Sequence, residues 1–311
     1  MTLEIIQEFS TLIEKFAKDC KLRGMTKESI GRYKSSLNMF ANYFPHTNLI
    51  EPNMQMLKDY LEHLQNERKV KHTTIEIEFS ALSSFYDYLI FDGFNVKNLV
   101  LPFRKRYLRM YKTDYNGPQK KLLTVEEMSQ LANSILDPRD KAIVLVLAKT
   151  GVRRGELLKM DVDDINWIDY SILLKPVAKR SNRTIYFDDE CAMVLKRWLK
   201  VREQLVPPTM ALFVSYQTHN RLSRNGAYQA VVKYAKRLGF HNSESKNLKD
   251  HFGPHCFRHW FTTYLLRNGM PREYVKELRG DTRKEAIDIY HHIDKEELRK
   301  TYLACIPQLG I

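Results

Sequence analysis

Long apolar runs are missing from this chain. The longest is Ala142 to Ala148, seven residues between Lys141 and Lys149, whereas a membrane-spanning helix needs roughly 20. No transmembrane segment is expected. The amino-terminal stretch MTLEIIQEF is acidic and amphipathic, so it does not read as a secretory signal. Cysteine is scarce: Cys20, Cys191, Cys256 and Cys305 are scattered, with no CxxC and no framework spacing. That usage suits buried thiols and a reducing, cytoplasmic setting. Also lacking are a P-loop, a GxSxG and a DxD-type carboxylate cluster with flanking glycines, so kinase, serine hydrolase and two-metal nuclease readings have no support. There is no internal repeat and no low-complexity tract.

Acidic charge is in deficit. Asp and Glu total 37 against 50 Lys and Arg, a net charge of +13. That excess points to a polyanionic partner, nucleic acid first and a membrane surface second. The 311 residues, 43% of them apolar, correspond to about two globular domains.

The first hundred residues read as helices. Ile5, Phe9, Leu12, Ile13 and Phe16 recur at three- and four-residue spacing, one apolar stripe. Thr26 is placed to cap a second helix through Phe40 and Phe44, and Pro52 to open a third through Met56, Leu61 and Leu64. Thr73 and Glu76 have the spacing of a capping box for a fourth, which carries Phe79, Leu82, Phe85, Tyr86 and Leu89 and stops before Gly93. The aromatics at this spacing read as core rather than as base-stacking platforms.

Residues 104–121 hold seven basic residues and one acid around three tyrosines, without helical apolar spacing. They read as a linker, either a solvated hinge or a basic strap in which Arg104, Lys105, Arg106 and Arg109 lie on phosphates. The expected organisation is a helical domain over 1–103, the basic linker over 104–121 and a second domain over 122–311.

The second domain opens with another capping-box pair, Thr124 and Glu127. Helices are expected over 140–150, 189–204, 224–238, 255–268, 271–278 and 283–290, with a last one capped by Asp294 and ending before Pro307. Residues 165–174 and 182–187 are rich in β-branched and aromatic residues and predict a small antiparallel sheet. The fold class is mainly α with that small sheet, an α+β chain.

Several segments can carry chemistry. Thr150-Gly151-Val152-Arg153-Arg154-Gly155-Glu156-Leu157 sets Arg153 at a helix start just after a glycine. There it either aims its guanidinium at a phosphate or is a surface arginine paired with Glu156. In Pro254-His255-Cys256-Phe257-Arg258-His259, His255 and Arg258 are three apart on one helix face. A near-neutral titratable nitrogen beside a permanent cation suits charge development on a phosphate; a helix start with a packed histidine is the plainer reading. His255 and His259 also have i, i+4 spacing for a metal, but no HExxH glutamate or obvious third ligand accompanies them. A packed or capping role suits His259 better. Lys175, Lys179 and Arg183 lie in or beside a predicted hairpin, and Tyr290 sits late in the chain at core-like spacing.

Taken in order, these segments resemble the tyrosine recombinases of the phage-integrase type. TGVRRGEL, a hairpin lysine, HCFRHW and RGDTRKEAIDIY follow one another, with Tyr290 nine residues after Asp281 and His292 two after the tyrosine. TTIEIEFSALSSFYDYL at 73–89 is similar to the family's SAM-like core-binding domain, and the likeness spans roughly 5–305. It looks closest to archaeal Xer-like and integrase members. Two departures stand out. Position 281 is Asp where the family usually has His or Trp, and the run AKRSNR is tighter than the family's glycine-bearing hairpin. Register with Arg183 favours Lys179 over Lys175.

The resemblance implies an N-terminal core-binding domain and a C-terminal catalytic domain. It implies a site-specific DNA recombinase working through a 3′-phosphotyrosine and a Holliday junction, in integration, excision or dimer resolution. Tyr290 would be the nucleophile, Arg153 and Arg258 the phosphate clamp, Lys179 the proton donor and His255 a proton acceptor or phosphate ligand. Glu156 and His259 would stand behind them, and Asp281 would either cap the helix after it or orient a cation. No cofactor or metal is implied. The partners would be double-stranded DNA with specific sites and further copies of the chain, four on DNA, with 294–311 docking on a neighbour. Two alternatives remain open at this point: a nicking-closing enzyme of the type IB topoisomerase kind, and a catalytically inactive DNA-binding homologue.

Overall fold

The structure, a computed structural model, describes residues 2–109, 121–175, 183–245, 247–281 and 293–311. The chain divides into two compact units, residues 1–115 and 116–311. Most of the basic linker, Lys179, the helix expected over 283–290 with Tyr290, and His292 lie outside the described residues.

In the first unit, α1 (Thr2–Leu22), α2 (Lys27–Tyr43), α3 (Met54–Glu62) and α4 (His72–Phe91) surround an aromatic core. The stripe Phe9, Leu12, Ile13, Phe16 and Cys20 on α1 is buried, as are Phe40, Tyr60, Phe79, Phe85 and Tyr86 from the other helices. Phe85 takes Phe9 and Phe16 edge-on, at 5.2 and 5.5 Å between centroids, the geometry that ring quadrupoles favour. These rings are core.

Thr26 caps α2 through the Ser29 N–H. Two of the expected starts are corrected. Asn53, not Pro52, caps α3 by accepting from the Met56 N–H. The fourth helix begins at His72 after an extended Lys71 that caps without its side chain. Thr74 and Ile75 already donate to the Lys71 carbonyl, so Thr73 lies inside the helix, where a capping box cannot form. The start of the basic segment is also not linker. α5 (Val100–Phe103) runs on through a wider π-type turn over Arg104–Leu108, with Leu108 buried and the Tyr107 ring on Phe103.

The second unit is built around α7 (Pro138–Thr150), capped by Asp137. All seven residues of its apolar run are buried, which is the pattern of a helix enclosed on every side. Around it pack α9 (Asp189–Gln204), α10 (Arg224–Arg237) and α11 (Pro254–Arg267). α6 (Val125–Asn133) opens the unit with the expected Thr124–Glu127 capping box. β1 (Ile165–Asn166), β2 (Ser171–Leu174) and β3 (Arg183–Tyr186) form an antiparallel sheet in that order, with Ile172 opposite both Ile165 and Ile185. The short α8 (Arg154–Leu157), α12 (Arg272–Arg279) and α13 (Lys295–Cys305) also belong to this unit, Asp294 capping α13. All four cysteines are buried, and none forms a disulfide.

Residues 307–311, the end of the 294–311 segment expected to dock on a neighbour, lie on their own unit. Glu190 accepts the backbone N–H groups of Leu309, Gly310 and Ile311. The Pro307 carbonyl accepts from Lys149, whose fully buried ammonium also meets Asp188 at 2.5 Å and Glu190 at 2.6 Å. No helix among the described residues is long and apolar enough to cross a membrane.

Candidate active site in the C-terminal unit

The end of α7 sets the site. Gly151 closes that helix at φ +60°, and a Cβ there would collide with the Phe261 ring of α11. Only glycine combines that left-handed turn with so close an approach. The turn brings Arg153 and α11 together: Arg258 Nη1 donates to the Gly151 carbonyl at 3.0 Å, across 107 residues of sequence.

Arg153 occupies the cap position of α8 with extended backbone. Its N–H donates to Glu156 Oε2 at 2.7 Å, and its Nη1 donates to Glu156 Oε1 at 3.3 Å and to the Arg279 carbonyl at 3.2 Å. Arg258 is buried and gives Nη2 to the same Arg279 carbonyl at 2.8 Å and to Asp281 Oδ1 at 3.0 Å. One main-chain oxygen, at the end of α12, therefore holds both guanidinium groups. Asp281 follows the left-handed Gly280. Besides Arg258 it has Arg153 Nη2 at 3.6 Å, and Arg279 Nε at 3.1 Å as an ion pair. Three cations thus converge on one carboxylate. The residues Asp281 would cap as the start of a following helix lie outside the described ones.

Electrostatics follow from burial. Desolvation, then repulsion from Arg153 and Arg279, lowers the Arg258 pKa to about 10, so it keeps its charge at neutral pH. Burial also opposes ionisation of Glu156, but bonds and charge from Arg183 and Arg153 outweigh it and hold the carboxyl below its ordinary range. Arg183, on β3, grips Glu156 with both Nη atoms at 3.1 and 3.0 Å.

His255 stands exposed on the first turn of α11, facing a cavity of about 440 Å³ that Arg153, Arg154, Arg224 and His251 also line. His259 is exposed as well, its ring 5.0 Å from that of His255 and nearly perpendicular. The expected packing of His259 is therefore corrected: Trp260 and Phe257 point inward instead. Among the described residues no three potential metal ligands cluster. Lys175 is engaged by Asp161 and, at 3.2 Å, by Asp164. The Asp161 bond is the main cause of its raised pKa. Lys105, Arg106 and Arg109 are exposed and Arg104 is half-buried in the first unit.

Arg183 was legible only as a register mark for the lysine. The overlooked signal was an arginine at an inward position of a strand, because a buried guanidinium must find a carboxylate.

Residues 121–297 match the phage integrase family, and residues 12–92 match the N-terminal SAM-like domain of phage integrases. The chain belongs to the phage integrase family. Its relatives include tyrosine recombinases. It is 28% identical to the tyrosine recombinase XerC of Histophilus somni over 238 residues, 74% of this chain and 73% of that one. It is 25% identical to the tyrosine recombinase XerD of Staphylococcus aureus over 305 residues, 94% and 97% of the two chains. In fold it is similar to the XerH site-specific recombinase bound to its difH substrate, with TM-score 0.66, 21% identity and coverage of 94% and 82%. The Tn1549 transposon integrase bound to circular-intermediate DNA gives 0.68, 17% identity and coverage of 93% and 98%.

Proposed function

We infer that this phage-integrase-family protein is a site-specific DNA recombinase that breaks and rejoins double-stranded DNA through a 3′-phosphotyrosine. The observation that carries the reading is the pair Arg153 and Arg258, two guanidinium groups from segments far apart in sequence, both tied to the Arg279 carbonyl. In this reading they bind the non-bridging oxygens of the scissile phosphate and neutralise charge that grows in the transition state. Tyr290 attacks phosphorus, the bond to the 5′-oxygen breaks, and that oxygen leaves with a proton. The phosphodiester energy stays in the tyrosyl ester, so rejoining needs no ATP. His255, at the cavity edge, accepts the tyrosine proton or binds a phosphate oxygen.

Lys179 is the proposed donor to the leaving oxygen. Lys175 is a poor one, because its ion pairs with Asp161 and Asp164 hold the proton. Asp281 orients Arg258 and Arg153 and relieves their mutual repulsion. Glu156 orients Arg153, and His259 supports His255 from the next turn. Arg104, Lys105, Arg106 and Arg109 contact the DNA backbone, and copies of the chain exchange strands as a tetramer in the cytoplasm.

The test is capture of covalent adducts. The protein is incubated with nicked duplexes of random core sequence, denatured, and the attached strands are sequenced. One recurrent core joined to protein at a 3′ end is expected, together with loss of all adduct in Tyr290→Phe despite retained DNA binding. Adduct formation by Tyr290→Phe, or relaxation of any supercoiled circle without a preferred core, would overturn the reading.

A further inference from the structure

Arg183 is 6% exposed and reaches two other segments, α8 and the end of α12. Its Nη1 and Nη2 meet the two oxygens of Glu156 at 3.1 and 3.0 Å, and its Nε donates to the Leu278 carbonyl at 2.9 Å. Gly280 is bare beneath it, since a Cβ there would lie 2.5 Å from Nη1. Both Glu156 oxygens are shared. Oε1 also accepts from Arg153 Nη1, and Oε2 also accepts from the Arg153 N–H. One negative charge is thus divided between a buried arginine and the half-buried one proposed to bind phosphate.

That division has a chemical consequence. A carboxylate that faced Arg153 alone would spend its charge there and weaken the cation that the phosphate needs. With the planar fork of Arg183 taking up the carboxylate in parallel, Glu156 can hold Arg153 in place without neutralising it. We propose that Arg183 is a positioning residue for cleavage: it shares Glu156 with Arg153, so that Arg153 is oriented yet keeps its charge for the scissile phosphate. Arg183 does not itself meet the phosphate, because it is buried with its fork on that carboxylate. The proposal rests on the recombinase reading above.

The experiment uses the full chain and the duplex core recovered by adduct capture. It compares an ordinary scissile phosphate with a methylphosphonate, which carries no charge for Arg153 to neutralise. Arg183→Met is expected to cut adduct formation on phosphate by about 100-fold while the methylphosphonate reaction falls less than about 10-fold. Arg183→Lys keeps the charge without the fork and is expected to stay nearer to Arg183→Met than to the unaltered protein. In Arg183→Met/Glu156→Gln, a neutral amide oxygen still orients Arg153 but no longer drains it, and at least about 10-fold of the lost rate should return. Equal losses on both substrates, or a double variant no faster than the single one, would make Arg183 merely structural and overturn the proposal. An undiminished rate in Arg183→Met would do the same. Absence of any adduct with the unaltered protein is a different result, which overturns the recombinase reading and this inference with it.

Discussion

Each unit buries a glutamate, and the two behave in opposite ways. Glu78 lies in the aromatic core of the first unit with Oε2 buried and without a hydrogen-bond partner among the described residues. Burial raises its pKa against weaker opposition from Ser36 and Arg68. Glu156 in the second unit is just as buried, yet two arginines reverse the effect and keep it ionised. The contrast extends to whole interiors. The first unit encloses mostly rings and aliphatic side chains. The second adds Asp140, Lys149, Arg183, Asp188, Arg202 and Arg258 to its buried set. A scaffold can be stabilised by apolar burial alone. A site that must meet a phosphate has to hold desolvated charge in place beforehand, which only paired networks permit.

Breaking the charged interior should have the largest effect. Lys149→Met leaves Asp188 and Glu190 facing each other without their cation, and urea unfolding should show a loss of about 3–5 kcal/mol. A change under 1 kcal/mol would mean that the C-terminal residues 307–311 on Glu190 carry the network without the lysine. Arg258→Ala should cut covalent adduct formation by roughly 100- to 1,000-fold, about 3–4 kcal/mol of barrier. Adduct yields over time on the captured core measure this, and a normal rate would remove Arg258 from the clamp.

Asp281 comes next. Its three ion pairs relieve repulsion among Arg153, Arg258 and Arg279. Asp281→Asn should therefore slow cleavage by about 10-fold with little change in melting temperature. If Asp281→Asn is fully active and only Asp281→Ala loses stability, by about 1 kcal/mol, the residue is a helix cap instead.

The smallest effects sharpen the comparison of the two glutamates. Glu156, with its pKa depressed by folding, contributes stability that is present above the ordinary carboxylate range and lost as pH falls through and below it. Glu78, with its pKa raised, contributes while protonated, and that contribution is lost as pH rises through the elevated value. At neutral pH, Glu78→Gln should raise stability and Glu156→Gln should lower it, each by of order 1 kcal/mol, with both differences shrinking in acid. Urea midpoints across pH decide it, and effects of the same sign would erase the distinction between the two interiors.

The helices and sheet were legible because their signals are local. The 3.6-residue stripes on α1 and α4, the Thr124–Glu127 box and the β-branched runs all act within a few residues. Where capping was misplaced, at Pro52 and Thr73, neighbouring residues competed for the same turn and Asn53 and Lys71 took the cap positions. The motif order made the cationic residues readable as a set, and the family's pattern supplied their proposed roles.

What the sequence determined by itself was which residues carry charge and which face of each helix is apolar. It could not determine which charges meet. Arg258 reaches Gly151 across 107 positions, Arg153 reaches the Arg279 carbonyl across 126, and Arg183 reaches Glu156 across 27 and Leu278 across 95. Lys149 ends the apolar run of α7 yet is fully buried, because Asp188, Glu190 and Pro307 arrive from elsewhere to satisfy it. Periodicity and capping are properties of a few consecutive residues, whereas ion pairing in a desolvated interior depends on packing that only the whole fold supplies.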